Sequence, residues 1–334
     1  MKKNHAIIFP ESQKTEIIEE DMPVISDDDL LVETICSLIS TGTELTLYNG
    51  NFSKGSRWDQ MGKYPLRPGY SNIGKVIAAG KNVDKSWLNK KVASPGSHAK
   101  YVICKFDKAV IVPETIDQEE ASFFRLAQIS MNGVRKSQLT WGESAAIFGM
   151  GIIGHLTARI CHLCGVRPVI GIDLSEKRLN MLPAESGYIK INPGKENVKN
   201  TVSNITNHRL ADVIFELTGV PDIIPGEFEI LRKQGRFVIL SSPRGKTTID
   251  FHDLCNSPSY SIIGAHANSH PEYATLQNPW TREKHTELFF SFLEKNDLKL
   301  KSLITHRIKY TEALSIYDEL KNNRNGILGV IINW

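Results

Sequence analysis

Ala145-Ala-Ile-Phe-Gly149-Met-Gly151-Ile-Ile-Gly154-His-Leu-Thr-Ala-Arg-Ile-Cys-His-Leu-Cys-Gly165-Val-Arg-Pro-Val169-Ile-Gly-Ile-Asp173 is the stretch whose reading decides the fold. An apolar strand runs into Gly149-x-Gly151-x-x-Gly154, a helix follows and closes at Gly165, and a second apolar run, Val169 to Ile172, ends on an acid. Each part has a physical task. Gly149 permits a tight turn, Gly151 lets the backbone approach a pyrophosphate, and Gly154 lets helix and strand pack closely. Free N–H groups at the helix start, around Ile152 and Ile153, then receive phosphate. An acid ~20 residues beyond the turn accepts hydrogen bonds from the adenosine ribose. Asp173 stands there, and its competing reading is a surface acid capping a helix that starts near Ser175. The expectation is a dinucleotide site for NAD(H) rather than NADP, because a 2′-phosphate would meet the Asp173 carboxylate. Lys177 and Arg178 are the nearest cations. Arg178, Thr218 and Ser241 complete the expected cofactor set.

Outward from this unit, strand and helix signals alternate. Tyr188–Ile191, Val213–Glu216, Arg236–Leu240 and Ser261–Gly264 join Ala145–Phe148 and Val169–Ile172 as six candidate strands of a doubly wound parallel sheet. The first ~115 residues instead read as short apolar runs (Leu30–Glu33, Ile73–Ala78, Lys91–Ala93, Tyr101–Cys104, Ala109–Val112) broken by Gly, Pro, Asn and Asp. A helix is expected over Ala121–Lys136. After Gly264 a polar, aromatic-spotted stretch, His266 to His285, reads as a loop. A helix over Thr286–Lys295, a strand over Leu303–Ile308, a helix over Thr311–Lys321 and a final strand over Gly329–Trp334 follow.

Composition limits the function. The 334 residues suit about two domains. A net charge of +3, with scattered lysines and arginines, argues against nucleic acid as a partner. No apolar run reaches the ~18 residues of a membrane span, and no signal-peptide core follows Met1-Lys2-Lys3, so neither a membrane partner nor export is expected and the cytoplasm is the default location. The five cysteines do not form a disulfide framework. Cys161-x-x-Cys164 invites a redox or metal reading, but small apolar residues of this helix pack on the sheet, and core packing is expected there. Cys36, Cys104 and Cys255 are isolated and expected to be buried.

The order of elements resembles the medium-chain dehydrogenase/reductase family over nearly the whole chain. Thr34–Gly50 looks like that family's Cys-Gly-(Thr/Ser)-Asp segment, and Pro68-Gly69-Tyr70-Ser71 with Gly74-Lys75-Val76 looks like its Gly-His-Glu segment. Ser97-His98-Ala99-Lys100-Tyr101-Val102 looks like its Phe-Ala-Glu-Tyr-Val strand, and Leu303–Arg307 is typical of its C-terminal return. The Thr-Gly-Thr-Glu segment is similar to that of bacteriochlorophyllide hydroxyethyl dehydrogenases. Ser242–Gly245 and Ile263–His266 resemble threonine-dehydrogenase-like members. The resemblance implies an α/β protein with a Rossmann doubly wound parallel sheet plus a β-rich GroES-like domain. It divides the chain into a GroES-like catalytic domain over 1–120, a Rossmann domain over 121–266, and a return to the catalytic domain over 267–334 that carries the substrate loop.

The departures carry the most information. Where zinc members hold their catalytic metal, the aligned residues here are Thr41, Tyr70 and Arg125. A hydroxyl and a phenol are poor zinc ligands and a guanidinium is not one. The structural-zinc lobe also looks deleted, since the strand at Val92 runs almost directly to Ala99. The resemblance therefore implies a member without metal. Thr43 aligns with the Ser/Thr that bonds the reacting oxygen; its plain reading is a threonine of β structure. Glu44 aligns with the acid beside the metal site and is expected to pair with Arg125 or to lie near substrate. Tyr70 and Arg125 should approach each other, and a guanidinium beside a phenol favours the phenolate. The plain alternative is that they fill the vacated metal pocket. His98, His266 and His270 are further candidate bases, with His266 placed in the catalytic set, and His270 and Trp280 on the substrate loop.

These residues imply a zinc-independent, NAD(H)-dependent enzyme interconverting a secondary alcohol and its ketone, with substrate between the domains. The polar loop and Arg125 point to a sugar, cyclitol or other polyol-like small molecule. The alternatives are a zinc-free enoyl or quinone reductase and a catalytically inactive NAD(H)-binding protein. A homodimer or homotetramer is expected.

Overall fold

The structure is a computed structural model that describes residues 2–323 and 325–334. Its strands are β1 (Lys3–Ile8), β2 (Glu16–Asp21), β3 (Asp29–Leu38), β4 (Asn72–Ala79), β5 (Lys91–Ser94), β6 (Tyr101–Lys105), β7 (Val110–Ile111), β8 (Ala145–Phe148), β9 (Val169–Ile172), β10 (Tyr188–Ile191), β11 (Ala211–Glu216), β12 (Leu231–Ile239), β13 (Ser261–Gly264), β14 (Ile304–Lys309) and β15 (Gly329–Asn333). The α-helices are α1 (Thr43–Asn49), α2 (Arg57–Met61), α3 (Gln118–Ala121), α4 (Phe124–Lys136), α5 (Ile152–Leu163), α6 (Glu176–Leu179), α7 (Val198–Ile205), α8 (Ile224–Glu227), α9 (Arg282–Glu294) and α10 (Ala313–Asn322). The chain forms two compact units. One runs to Arg125 and resumes over Thr275–Trp334; the other is Leu126–Ala274.

The Leu126–Ala274 unit holds a parallel sheet in the order β10-β9-β8-β11-β12-β13. Its inner strands are buried on both faces, which is why Val169–Ile172 and Val213–Phe215 read as apolar runs and not as alternation. On one face Ile170, Ile214 and Phe237 pack with Phe228, whose ring stacks on Phe237 at 4.1 Å between centroids. The chain leaves β8 for β9 on one side and later returns to β11 on the other. That reversal sets Phe148 beside Glu216, at the carboxyl ends of two adjacent strands, where open α/β sheets hold ligands.

The other unit is built on β3, which pairs with β4, β6 and β15 in a mixed sheet of order β14-β15-β3-β4-β5-β7. Its core includes Phe9, Tyr48 and Tyr317, with Phe9 edge-on to Tyr317 at 4.8 Å and to Tyr48 at 5.3 Å. Three elements were not visible as periodic patterns. The β1–β2 hairpin is acidic at four of the six positions of Glu16–Asp21, and β1 also bridges to Ala99 through Ala6. The helix α1, Thr-Glu-Leu-Thr-Leu-Tyr-Asn, is poor in strong helix formers. It forms because Leu45 and Tyr48 pack against α10 residues, and it stops at Gly50, whose φ of +65° is left-handed. The short α2 is capped by Ser56, whose side chain accepts from Asp59 N–H.

Two expectations need correction. The last large helix starts at Arg282, four residues before the expected Thr286, because Thr281 caps it by accepting from Lys284 N–H at 3.2 Å. Cys164 is exposed and Cys255 only half-buried. Cys164 terminates α5 instead of lying on its packed face with Cys161.

Glu227, at the end of α8, is a cost built into the core. It is 2% exposed, and neither carboxyl oxygen has a hydrogen-bond partner among the described residues. Burial, with the nearby Glu216 charge second, pushes its carboxyl up to about 9. The folded state thus keeps a proton that the unfolded chain releases near pH ~4.3. Stability from this group is complete below that pH and is lost as pH rises towards 9. In Glu227→Gln that loss should vanish. We expect the variant's urea midpoint to overtake the wild-type value progressively between pH 5 and 9; parallel curves would contradict the assignment.

Candidate functional site

In the Leu126–Ala274 unit the glycine turn is shaped by contacts within the protein at two positions and by none at the third. Gly149 has φ +93°, and a Cβ there would lie 2.9 Å from the Leu217 carbonyl. A Cβ on Gly154 would lie 2.1 Å from the Gly149 oxygen. Gly151, the N-cap of α5, has no described atom within 4 Å of where a Cβ would stand. The space before the first turn of a 12-residue helix is thus open, as a phosphate cradle requires. Ile152 is buried on the first turn of α5 and Ile153 is half-buried beside it.

Asp173 leaves β9 with one oxygen accepting from Met150 N–H and the other from Ser175 N–H, both at 2.8 Å. The carboxylate therefore ties the end of β9 to the glycine turn. The helix α6 is capped by the Ser175 side chain itself. Arg178 lies 3.8 Å from the same carboxylate, closer than the spacing in sequence suggested. Across the sheet reversal, Glu216 is fully buried and organises the facing loops. It accepts from Thr218 N–H at 2.7 Å, Thr218 Oγ1 at 2.6 Å and Gly219 N–H at 2.9 Å. The Ser241 hydroxyl donates to its other oxygen. Thr218 and Ser241, expected at the cofactor, are thus both held by an acid that the sequence reading passed over.

His266 and His270 belong to this same unit. His266 is exposed and caps a short 3₁₀ turn, its Nδ1 accepting from Asn268 N–H at 3.1 Å, while its carbonyl accepts from Asn132. His270 Nδ1 bonds the Ala267 carbonyl at 2.7 Å.

The other unit brings Thr43, Tyr70, Arg125 and Glu44 together. The Tyr70 hydroxyl donates to Ser40 Oγ and is also bonded by the Thr43 side chain. The Arg125 guanidinium carbon stands 5.9 Å from the Tyr70 ring centroid, a cation–π distance. Tyr70, Thr43 and Arg125 are half-buried as residues, with the Tyr70 hydroxyl enclosed. The expected depression of the Tyr70 phenol by Arg125 is overturned in its net sign. Burial raises it most; the Ser40 and Thr43 hydrogen bonds oppose that rise, Glu44 adds to it, and Arg125 lowers it least. Burial and the neighbouring Arg282 in turn weaken the hold of Arg125 on its proton.

Glu44, expected beside Arg125 or substrate, meets the ring of His98. His98 Nε2 lies 3.0 Å from Glu44 Oε2, Tyr317 donates to that oxygen at 2.7 Å, and Ser40 N–H donates to Oε1 at 2.8 Å. His98 Nδ1 meets Ser37 Oγ at 2.8 Å, and Trp334 Nε1 donates to the same hydroxyl at 3.0 Å. Serine, histidine and acid in contact have the order of a nucleophile triad. Ser37 and His98 are 0% exposed and Glu44 1%, so no substrate reaches them and the group is a buried support. Trp280, expected on the substrate side, stacks on the buried His285 at 5.6 Å.

Among the described residues no group of three or more His, Cys, Asp or Glu is arranged to hold a metal ion, and no helix is long and apolar enough to cross a membrane. A family model described as zinc-binding dehydrogenase matches residues 153–279. An L-threonine 3-dehydrogenase of Pectobacterium atrosepticum is 22% identical over 352 aligned positions, covering 95% of this chain and 90% of that protein. Among solved structures, galactitol-1-phosphate dehydrogenase from Escherichia coli superposes with a TM-score of 0.83 at 18% identity, over 99% of this chain and 100% of that one. An alcohol dehydrogenase from Escherichia coli CFT073, solved with NADH, gives 0.85 at 16% identity over 100% of both chains. These structures share the fold: a β-rich unit with a doubly wound dinucleotide-type unit. The chain is similar to these dehydrogenases over nearly its whole length, and residues 153–279 match the zinc-binding dehydrogenase model.

Proposed function

We propose that this protein is a zinc-independent, NAD(H)-dependent oxidoreductase that interconverts a secondary alcohol and its ketone. The observation that carries the reading is the grouping of Tyr70, Arg125 and Thr43; the family resemblance aligns Tyr70 and Arg125, with Thr41, to the metal-ligand positions. The aligned set does not fit zinc: the Thr41 hydroxyl, the Tyr70 phenol and the Arg125 guanidinium offer no ligand trio. The grouping does fit an alcohol oxygen. Thr43 supplies a hydroxyl that orients the oxygen, Arg125 a fixed cation that stabilises developing alkoxide charge, and Tyr70 a site for the O–H proton. When bound, the nicotinamide supplies the hydride chemistry. The glycine turn would hold its pyrophosphate at Gly151, and Asp173, with about two of its four lone-pair sites taken by backbone N–H groups, keeps the rest for ribose hydroxyls. Thr218, Ser241 and Glu216 shape the facing wall. His266, His270 and Trp280 remain candidates on the substrate side, and Glu44 acts from beneath.

The galactitol-1-phosphate and L-threonine dehydrogenases are named for small hydroxylated substrates with several polar groups. With Arg125 at the site they support a sugar, cyclitol or other polyol-like metabolite. We take the working form to be a cytoplasmic homodimer or homotetramer.

For the cofactor, we expect NAD to bind more tightly than NADP in a fluorescence titration, and Asp173→Ala to narrow or reverse that order by leaving Arg178 without its carboxylate. Gly151→Ala should lose dinucleotide affinity while melting like wild type, whereas Gly154→Ala should lower the melting temperature. NADP binding as tight as NAD in the wild type contradicts the assignment.

For the reaction, NADH formation scanned across a polyol and sugar library should find a substrate. On it, Tyr70→Phe and Arg125→Ala should each lower turnover by ~100-fold or more with NAD affinity unchanged. Rates within a few-fold of wild type for both would reduce them to pocket fillers and make His266 the next base to test.

A further inference from the structure

Ser40 aligns with no residue expected at the site, yet its hydroxyl is the hydrogen-bond partner of the Tyr70 oxygen. Its backbone is closed against α1 in both directions. Ser40 N–H donates to Glu44 Oε1 at 2.8 Å, and Glu44 N–H donates to the Ser40 carbonyl at 2.9 Å. The Ser40–Glu44 turn is therefore a rigid loop hung on one buried carboxylate, and that carboxylate is itself held by His98 and Tyr317. A side chain on such a loop has its reach set in advance. Thr43, from the same turn, bonds the same phenol oxygen.

We propose that Ser40 is a positioning residue for proton transfer: its hydroxyl and that of Thr43 form a two-donor cradle for the Tyr70 oxygen, held in place by Glu44. The inference rests on the reading of Tyr70 as proton acceptor. As a phenol, Tyr70 donates to Ser40 Oγ. As a phenolate it has no proton to give, and both hydroxyls rotate to donate to it. When an alcohol O–H breaks, its proton forms the phenol O–H, and the Ser40 and Thr43 protons swing away again. No net proton is stored in the cradle. Its effect is to make the anionic oxygen bearable in an enclosed position that Glu44 on α1 opposes and Arg125 on α4, itself facing Arg282 on α9, favours.

Tyrosinate ultraviolet difference absorbance, recorded after rapid pH jumps to outrun alkaline unfolding, tests this without substrate. Subtracting the Tyr70→Phe curve isolates the titration of Tyr70. In Ser40→Ala, measured against Ser40→Ala with Tyr70→Phe, the midpoint should rise by about 1–2 pH units, the scale of one hydrogen bond to a charged group. Ser40→Thr, which keeps the hydroxyl, should restore it, and Thr43→Val should raise it independently. If Ser40→Ala does not fold, the Thr43→Val shift and the Ser40→Thr curve decide the matter. A Tyr70 midpoint unmoved by loss of either hydroxyl overturns the cradle. Full turnover in Tyr70→Phe would overturn the catalytic reading instead, whatever the titrations show.

Discussion

One buried carboxylate holds the β-rich unit's site together. Glu44 is taken out of water, and its carboxyl is met by three groups from separate parts of the chain: the Ser40 backbone N–H, the His98 ring and the Tyr317 hydroxyl. A buried anion is tolerated only when so surrounded. The consequence runs outward. The turn that carries Thr43 and Ser40 is locked, α1 is started despite weak propensity, and α10 is fixed beneath it through Tyr317. His98, Ser37 and Trp334 extend the same network to the last residue of the chain. The half-buried Tyr70, Thr43 and Arg125 then lie on a support that is fully buried.

The proposed exchange of a metal for side chains would change how charge is managed. A zinc ion would act as a single strong cation on an alkoxide. In the proposed reading the tasks are divided among a guanidinium, two hydroxyls and a phenol. The phenol starts from a raised position, because enclosure outweighs the help of its neighbours. Turnover in the oxidation direction should therefore favour alkaline conditions, where the phenolate is populated, and ketone reduction should favour the neutral phenol as proton donor.

Legibility in the sequence followed distance along the chain. The dinucleotide unit was readable because its glycine turn, helix and acid lie within Ala145–Asp173, where Gly149 and Gly154 answer local steric demands and Gly151 leaves open space. Glu216 was missed because an acid at a strand end gives no sign of facing four donors from two loops. The network around Glu44 joins residues separated by 54 and 273 positions, and no periodicity reports such contacts. Tyr70 and Arg125 were brought together only through the family resemblance; the residues alone did not predict it. Arg178 was underrated because a turn of α6 carries it back towards Asp173.

The central claim is that protein groups, not a metal, manage the alcohol proton. Elemental analysis of purified, active protein tests it most directly, with activity followed during prolonged chelation. The account predicts zinc far below one equivalent per chain and a rate unchanged by chelator. Stoichiometric zinc that leaves together with activity, and restores it on return, would contradict the account.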